Sequence, residues 1–92
     1  MATSSIKRSV NMGGALDNIS LNDLPAAFCS YGAWGGNNVT DVPFDITGCA
    51  VLTLPGPGAS PQWQIVLSDS AIAIRKMNAS NQWTAWKSVS LS

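Results

Sequence analysis

From Gln62 onward apolar and polar positions alternate with a period of two. Trp63, Ile65 and Leu67 project to one side of an extended run and Gln62, Gln64 and Val66 to the other. In the following run Ile72 and Ile74 take the apolar side, with Ala71, Ala73 and Arg75 opposite. Ser68-Asp69-Ser70 separates the two runs and Met77–Gln82 follows the second, both rich in the small polar residues that favour turns. Gly48–Leu54 is the most continuously apolar run and reads as a central strand buried on both faces. Between it and Gln62, Pro55–Pro61 holds three prolines and two glycines and forms a wide turn. No window after Gly48 sustains the i, i+3, i+4, i+7 spacing of a helix. The pattern therefore predicts four antiparallel strands between Gly48 and Val89, with turns near 55–61, 68–70 and 77–81. The last strand is expected at Trp83-Thr84-Ala85-Trp86. Two indoles three apart cannot share one face of a regular strand, so either a bulge turns one of them or one faces solvent or a partner chain. The weight of aromatic rings in a small core favours burial of both.

Upstream the signals are shorter. Ala27–Gly32 reads as a first strand with Cys29 and Tyr31 opposite Phe28 and Ser30. Ser20 stands three before Asp23 and caps a single helical turn that Pro25 ends. Met1–Ala15, rich in Ser, Gly and Asn and carrying Lys7-Arg8, shows neither period and reads as a linker or as the end of a longer upstream element, leaving residues 16–92 as one β domain. Ala33–Pro43 is too long for an ordinary hairpin connection, which marks it for function.

Charge changes this picture. Five Lys plus Arg balance five Asp plus Glu, and only 11% of the 92 residues are charged against 46% hydrophobic. An ordinary soluble domain carries roughly 25% charged residues. Part of this surface is therefore expected to be covered, by a membrane or by other copies of the chain. No apolar run approaches the ~18–20 residues that span a bilayer, and the first twenty residues lack a signal-peptide core, which leaves an oligomer. There is no basic patch for nucleic acid. Cys29 and Cys49 either pair or stay thiols, and their apolar surroundings favour buried thiols.

The catalytic inventory is poor. The chain has no His and no Glu, and no nucleophile elbow or Walker loop. A glycosidase-like pair drawn from Asp41, Asp45 and Asp69 is the one catalytic arrangement to weigh. All three sit in turn-like contexts, where aspartates cap and turn the backbone, so the chain is not expected to be an enzyme. Asn37, Asn38, Asp41 and Asp45 offer oxygen donors for calcium without the spacing of a known loop, and no cofactor is expected. Three Asn-x-Ser/Thr triplets, at Asn18, Asn38 and Asn78, read as accidents of a Ser- and Thr-rich composition. Trp34, in a Gly- and Asn-rich loop, reads equally as a ring that stacks on a sugar or as a plug at a barrel end or oligomer interface.

The succession Leu21-Asn22-Asp23-Leu24, Phe28-Cys29-Ser30-Tyr31-Gly32, Pro43 before Gly48-Cys49-Ala50-Val51-Leu52, Gln62-Trp63-Gln64, Ile72-Ala73-Ile74-Arg75 and Trp83-Thr84-Ala85-Trp86-Lys87 resembles the pyocin-knob type domain at the carboxyl end of phage tail fibres. The similarity runs over about Leu16–Val89 and lies in the order and spacing of these elements. Phe28-Cys29, where a Gly-Phe/Tyr step is usual, and the Pro-rich turn are departures. The resemblance implies a small all-β, sandwich-like knob, a homotrimer about the fibre axis, at the distal end of the virion's tail fibre, that binds a bacterial surface glycan or outer-membrane protein. The rival expectation is a unit that registers and caps three fibre chains without touching the host. In an antiparallel meander alternate connections fall at alternate ends. With the first strand running away from the shaft, the 34–43 loop and the 68–70 turn share the far end, which places the expected receptor site on Trp34, Asn37, Asn38, Asp41 and Asp69.

Overall fold

The computed structural model describes residues 11–32 and 38–91. They form one six-stranded sheet in chain order: β1 (Asn11–Leu16), β2 (Phe28–Gly32), β3 (Ala50–Pro55), β4 (Pro61–Leu67), β5 (Ala71–Lys76) and β6 (Lys87–Ser90). The fold is all-β, and from β2 to β6 every neighbouring pair is antiparallel, the meander that the alternation predicts. The two turns drawn from Ser/Asp and Pro/Gly clusters fall where expected, at Ser68–Ser70 and at Gly56–Ser60. In the latter Gly58 adopts φ 81°, a left-handed conformation that costs glycine little.

Three expectations are corrected. Residues 11–15, expected within a linker or the end of a longer upstream element and with neither strand nor helix period, belong to β1, which pairs parallel with β2 and shifts register between Met12 and Ala15. Gly13-Gly14 at that shift removes the apolar alternation by which a strand announces itself, while backbone hydrogen bonding still holds the edge. The last strand begins at Lys87; Trp83 makes only an isolated bridge to Met77 and residues 84–86 are irregular. The burial of the Gly48–Leu54 strand on both faces is the third. Register places Tyr31, Leu52, Leu54, Trp63, Ile65, Leu67, Ile72, Ile74 and Val89 on one face, and seven of these are exposed, from Ile74 at 36% to Val89 at 67%. The covered face carries Ser30, Val51, Thr53, Gln64, Val66, Ala73 and Arg75. β3 is central, yet only Val51 and Thr53 are buried while Leu54 on its other side is 37% exposed.

The cover over the inner face is a layer of loops. Ser20 caps a 3-10 turn, Leu21–Asp23, with its Oγ accepting from the Asn22 N–H at 3.0 Å, and Leu24, held extended by Pro25, inserts beside Leu21. Asn38–Gly48 lies alongside it: Thr40 N–H donates to Ile19 O and Leu21 N–H to Thr40 O, at 3.0 and 3.1 Å. Leu21, Leu24, Ile46 and Cys49 thus meet Val51, Val66 and Ala73 of the sheet, with Phe44 and Trp86 at the margin. A Cβ on Gly32 would lie 2.1 Å from the Ile46 carbonyl oxygen, so glycine is what lets this loop close onto the end of β2. Cys49 is a buried free thiol and Cys29, on the outer side of β2, a half-buried one.

Candidate functional site

Gln64 and Arg75 face each other across β4 and β5 and are both buried, Arg75 with 7% exposure. A buried guanidinium needs partners for its charge and for its donors. Arg75 Nε and Nη2 both donate to Gln64 Oε1, at 2.8 and 2.6 Å. Gln64 Nε2 in turn donates to the Leu21 carbonyl and to Thr53 Oγ1, which ties the sheet to the 3-10 turn above it. The charge is met by aromatic rings: the guanidinium carbon lies 4.6 Å from the Trp83 ring centre and 4.5 Å from that of Trp86. Burial pushes the Arg75 pKa down to about 10, with the negative charge of Asp41 acting in the opposite direction.

This arrangement accounts for the Trp83 and Trp86 spacing. Neither ring sits on a regular strand, so the one-face constraint does not apply. Both are half-buried against one cation, and Trp86 also fixes the loop layer by donating from Nε1 to the Asp41 carbonyl at 2.9 Å. In sequence Gln64 and Arg75 were only an amide and a cation in neighbouring strand runs; their pairing follows from the register of β4 and β5.

Beside Trp83 a cleft of about 570 Å³ opens, bounded by Arg75, Asp41, Asn22, Gln82 and Met77. Its parts come from β5, from the 3-10 turn, from the long loop and from the 77–82 turn. Asp41 is exposed, with φ 60°, and its carboxylate accepts from Ser20 Oγ. The 77–82 turn is held by Asn78, whose Oδ1 accepts from the N–H groups of Ser80 and Gln82 at 2.9 and 3.0 Å.

Of the expected site residues, Trp34 and Asn37 lie outside the described residues. Asn38 is exposed with φ 52°, and its Nδ2 donates to Asn18 Oδ1 at 3.3 Å. Asp69 is exposed in the β4–β5 turn, beside Leu67 and Ile72. Asp41 lies instead toward the end of that hairpin where Trp63 pairs with Lys76, because the long loop folds back over the inner face. The chain brings Asp41 together with Arg75 and Trp83 and leaves Asp69 at the other end. Asp45 is occupied by Thr47, whose N–H and Oγ1 donate to its Oδ1 at 3.0 and 2.7 Å and hold its pKa below the ordinary value. Among the described residues no three Cys or Asp side chains converge.

Comparison with protein-family models, with curated proteins and with solved structures finds no match to this chain. The functional reading therefore rests on the chemistry of the surfaces.

Proposed function

We propose that this chain is the receptor-binding knob at the distal end of a phage tail fibre, held as a homotrimer through the outer face of its sheet. The observation that carries the reading is that face. An antiparallel sheet in water ordinarily turns a polar side outward; here Tyr31, Leu54, Trp63, Leu67, Ile72, Ile74 and Val89 are exposed on one surface. The apolar area they leave in water is on the order of 600 Å², the upper end for the largest patch of a monomer and approaching the ~800 Å² each partner gives to a stable interface.

The occupant is further copies of the same chain. A neutral chain with few charges meets no electrostatic barrier to self-association. Among the described residues its charged positions are Lys76, in the end row beside Trp63, and Lys87, at the β6 edge beside Ile74, and the Lys76 ammonium lies 5.1 Å from the Trp63 ring centre, so that the lysine is held over the indole. The β6 edge is short and begins with a lysine, which disfavours strand addition there, and the apolar outer face supports face-to-face packing as the mode of assembly. With the outer faces turned toward a common axis, the loop layer and its cleft point away from it. The Gln-bearing strand, the Arg-bearing strand and the Trp-x-x-Trp through which the sequence resembles tail-fibre knobs meet in the Arg75 cluster, and this supports placing recognition on that side.

Sedimentation equilibrium at micromolar concentration is expected to give three times the chain mass, and fluorescently labelled protein is expected to adhere to cells of a susceptible bacterial host. A stable folded monomer overturns the trimer. A trimer that adheres to no strain of a broad bacterial panel favours the capping role.

A further inference from the structure

We infer that the cleft bounded by Trp83, Arg75 and Asp41 is a binding site for an uncharged saccharide. This rests on reading the chain as a recognition module and names where, and for what chemistry, that recognition occurs. The cleft, about 570 Å³, lies within the ~300–1,000 Å³ of small-ligand sites.

Its charges select against ions. Asp41 and Arg75 both line it, so an anionic glycan meets a carboxylate and a cation meets a guanidinium. A sugar hydroxyl uses both, donating to one and accepting from the other. The guanidinium is held in advance. Nε and Nη2 are fixed on Gln64, both indoles lie against it, and among the described residues Nη1 makes no hydrogen bond, which leaves its donors for a ligand. Little ordering entropy is then lost when a hydroxyl binds.

The amides complete the set. Asn22 and Gln82 are exposed, and among the described residues their side chains make no hydrogen bonds; only their backbones are engaged, Asn22 N–H donating to Ser20 Oγ and Gln82 donating from its N–H to Asn78 Oδ1 while its carbonyl accepts from the Asn78 N–H. Each supplies a donor and an acceptor at the cleft wall. The Trp83 indole and the Met77 thioether add the apolar surface against which the C–H face of a pyranose packs.

The test uses the full chain in its assembled state. The Trp83 indole N–H resonance is assigned from the Trp83→Phe variant and followed on addition of maltotriose, lactose and N,N′-diacetylchitobiose, with 3′-sialyllactose and mannose 6-phosphate as charged counterparts. At least one neutral saccharide is expected to move the Trp83 signal saturably while the Trp63 signal stays still. Asn22→Ala and Gln82→Ala together are expected to weaken that binding at least tenfold with an unchanged melting temperature, and each single variant to weaken it by an intermediate factor. The inference is overturned if no neutral saccharide moves Trp83, if the double variant loses less than tenfold, or if a charged saccharide binds more than tenfold tighter than every neutral one. Adherence of the same proteins to bacteria separates this from the wider reading. Cells that bind the double variant as well as the parent leave the receptor role standing and remove the cleft from it. Saccharide binding without adherence to any strain keeps the cleft and removes the receptor role.

Discussion

The two faces of this sheet reverse the usual relation between side-chain size and burial. The covered face holds Ser30, Thr53, Gln64 and Arg75 with Val51, Val66, Ala73 and a half-buried Phe28 as apolar filling, whereas the bare face holds isoleucines, leucines, a tryptophan and a tyrosine. Within one chain this costs stability, because large apolar groups contribute about 25 cal/mol per Å² only when they leave water. The small inner residues make room for a thin cover of loops and for a polar chain from Thr53 through Gln64 to Arg75. The large outer residues are those suited to a thick, dry interface. The difference suggests that the sheet's principal apolar contact is made between chains, and that its inner face serves to fix loops and a cation in place.

Adjacent residues on β4 put this to the hardest test. Val66 is fully buried inward and Leu67 is 40% exposed outward. Val66→Asp places an unpaired carboxylate in the core and is expected to cost on the order of 5 kcal/mol, comparable to the whole stability of a small domain, so that circular dichroism shows an unfolded chain. Leu67→Asp is expected to leave the β spectrum intact and to raise the dissociation constant of the assembly at least ~100-fold, because a charge then enters an apolar contact. If Leu67→Asp assembles like the parent, the outer face is not the interface.

A smaller effect separates the polar chain from ordinary filling. Gln64→Leu keeps volume but strips Arg75 of its acceptor and Leu21 O of its donor, an expected loss of about 2–3 kcal/mol for bonds to a charged group. For a domain of this size that lowers the melting temperature by roughly 10–20 °C. The oligomeric state should stay the same, since Gln64 faces away from the bare outer face. An unchanged melting temperature would show that the polar chain does not hold the inner layer.

Below that come the indoles. Trp86→Ala removes a ring at the core margin, a hydrogen bond to the Asp41 carbonyl and one side of the Arg75 stack, and should cost about 2–3 kcal/mol. Trp83→Ala removes mainly the stack and should cost about 1 kcal/mol. Chemical denaturation of the two variants orders them; equal losses would mean that the link from Trp86 to the loop layer contributes nothing.

Much of this was legible in the chain, and the rest was hidden for physical reasons. Alternation located β4 and β5 because period two is a property of the strand itself, a continuous apolar run located β3, and the Pro/Gly and Ser/Asp clusters located their turns. Which side is covered within the chain is not such a property. Ile72 and Ile74 read as the apolar side, which they are, but that side is left bare. β1 lacked any apolar signal because Gly13-Gly14 interrupts it, and Trp83–Trp86 looked like a strand because indoles usually mark one. Asp41 was singled out together with Asp69, yet the fold separates them, since a long loop's ends are set by topology while its middle goes where Thr40 finds Ile19. Arg75 and Gln64 join the site only once the register of β4 and β5 is known.

The smallest expected effect concerns acid. Ile46 is part of the inner core and sits between Asp45 and Thr47, whose hydrogen bonds favour the Asp45 carboxylate and hold its pKa below the ordinary 3.8. Above pH 3.8 the carboxylate is ionised in both folded and unfolded chains and its contribution is fully present. As pH falls through 3.8 toward the folded value, the unfolded chain takes up the proton first, so stability declines. Asp45→Asn should flatten this part of the profile, seen as a melting-temperature difference between the two proteins that shrinks from pH 5 to pH 2.5. The strand positions of the outer face carry Lys76 and Lys87 and no carboxylate, so acid in the same range should loosen the inner cover without dissociating the assembly. Dissociation ahead of any change in the melting profile would mean that the two faces do not divide the work in this way.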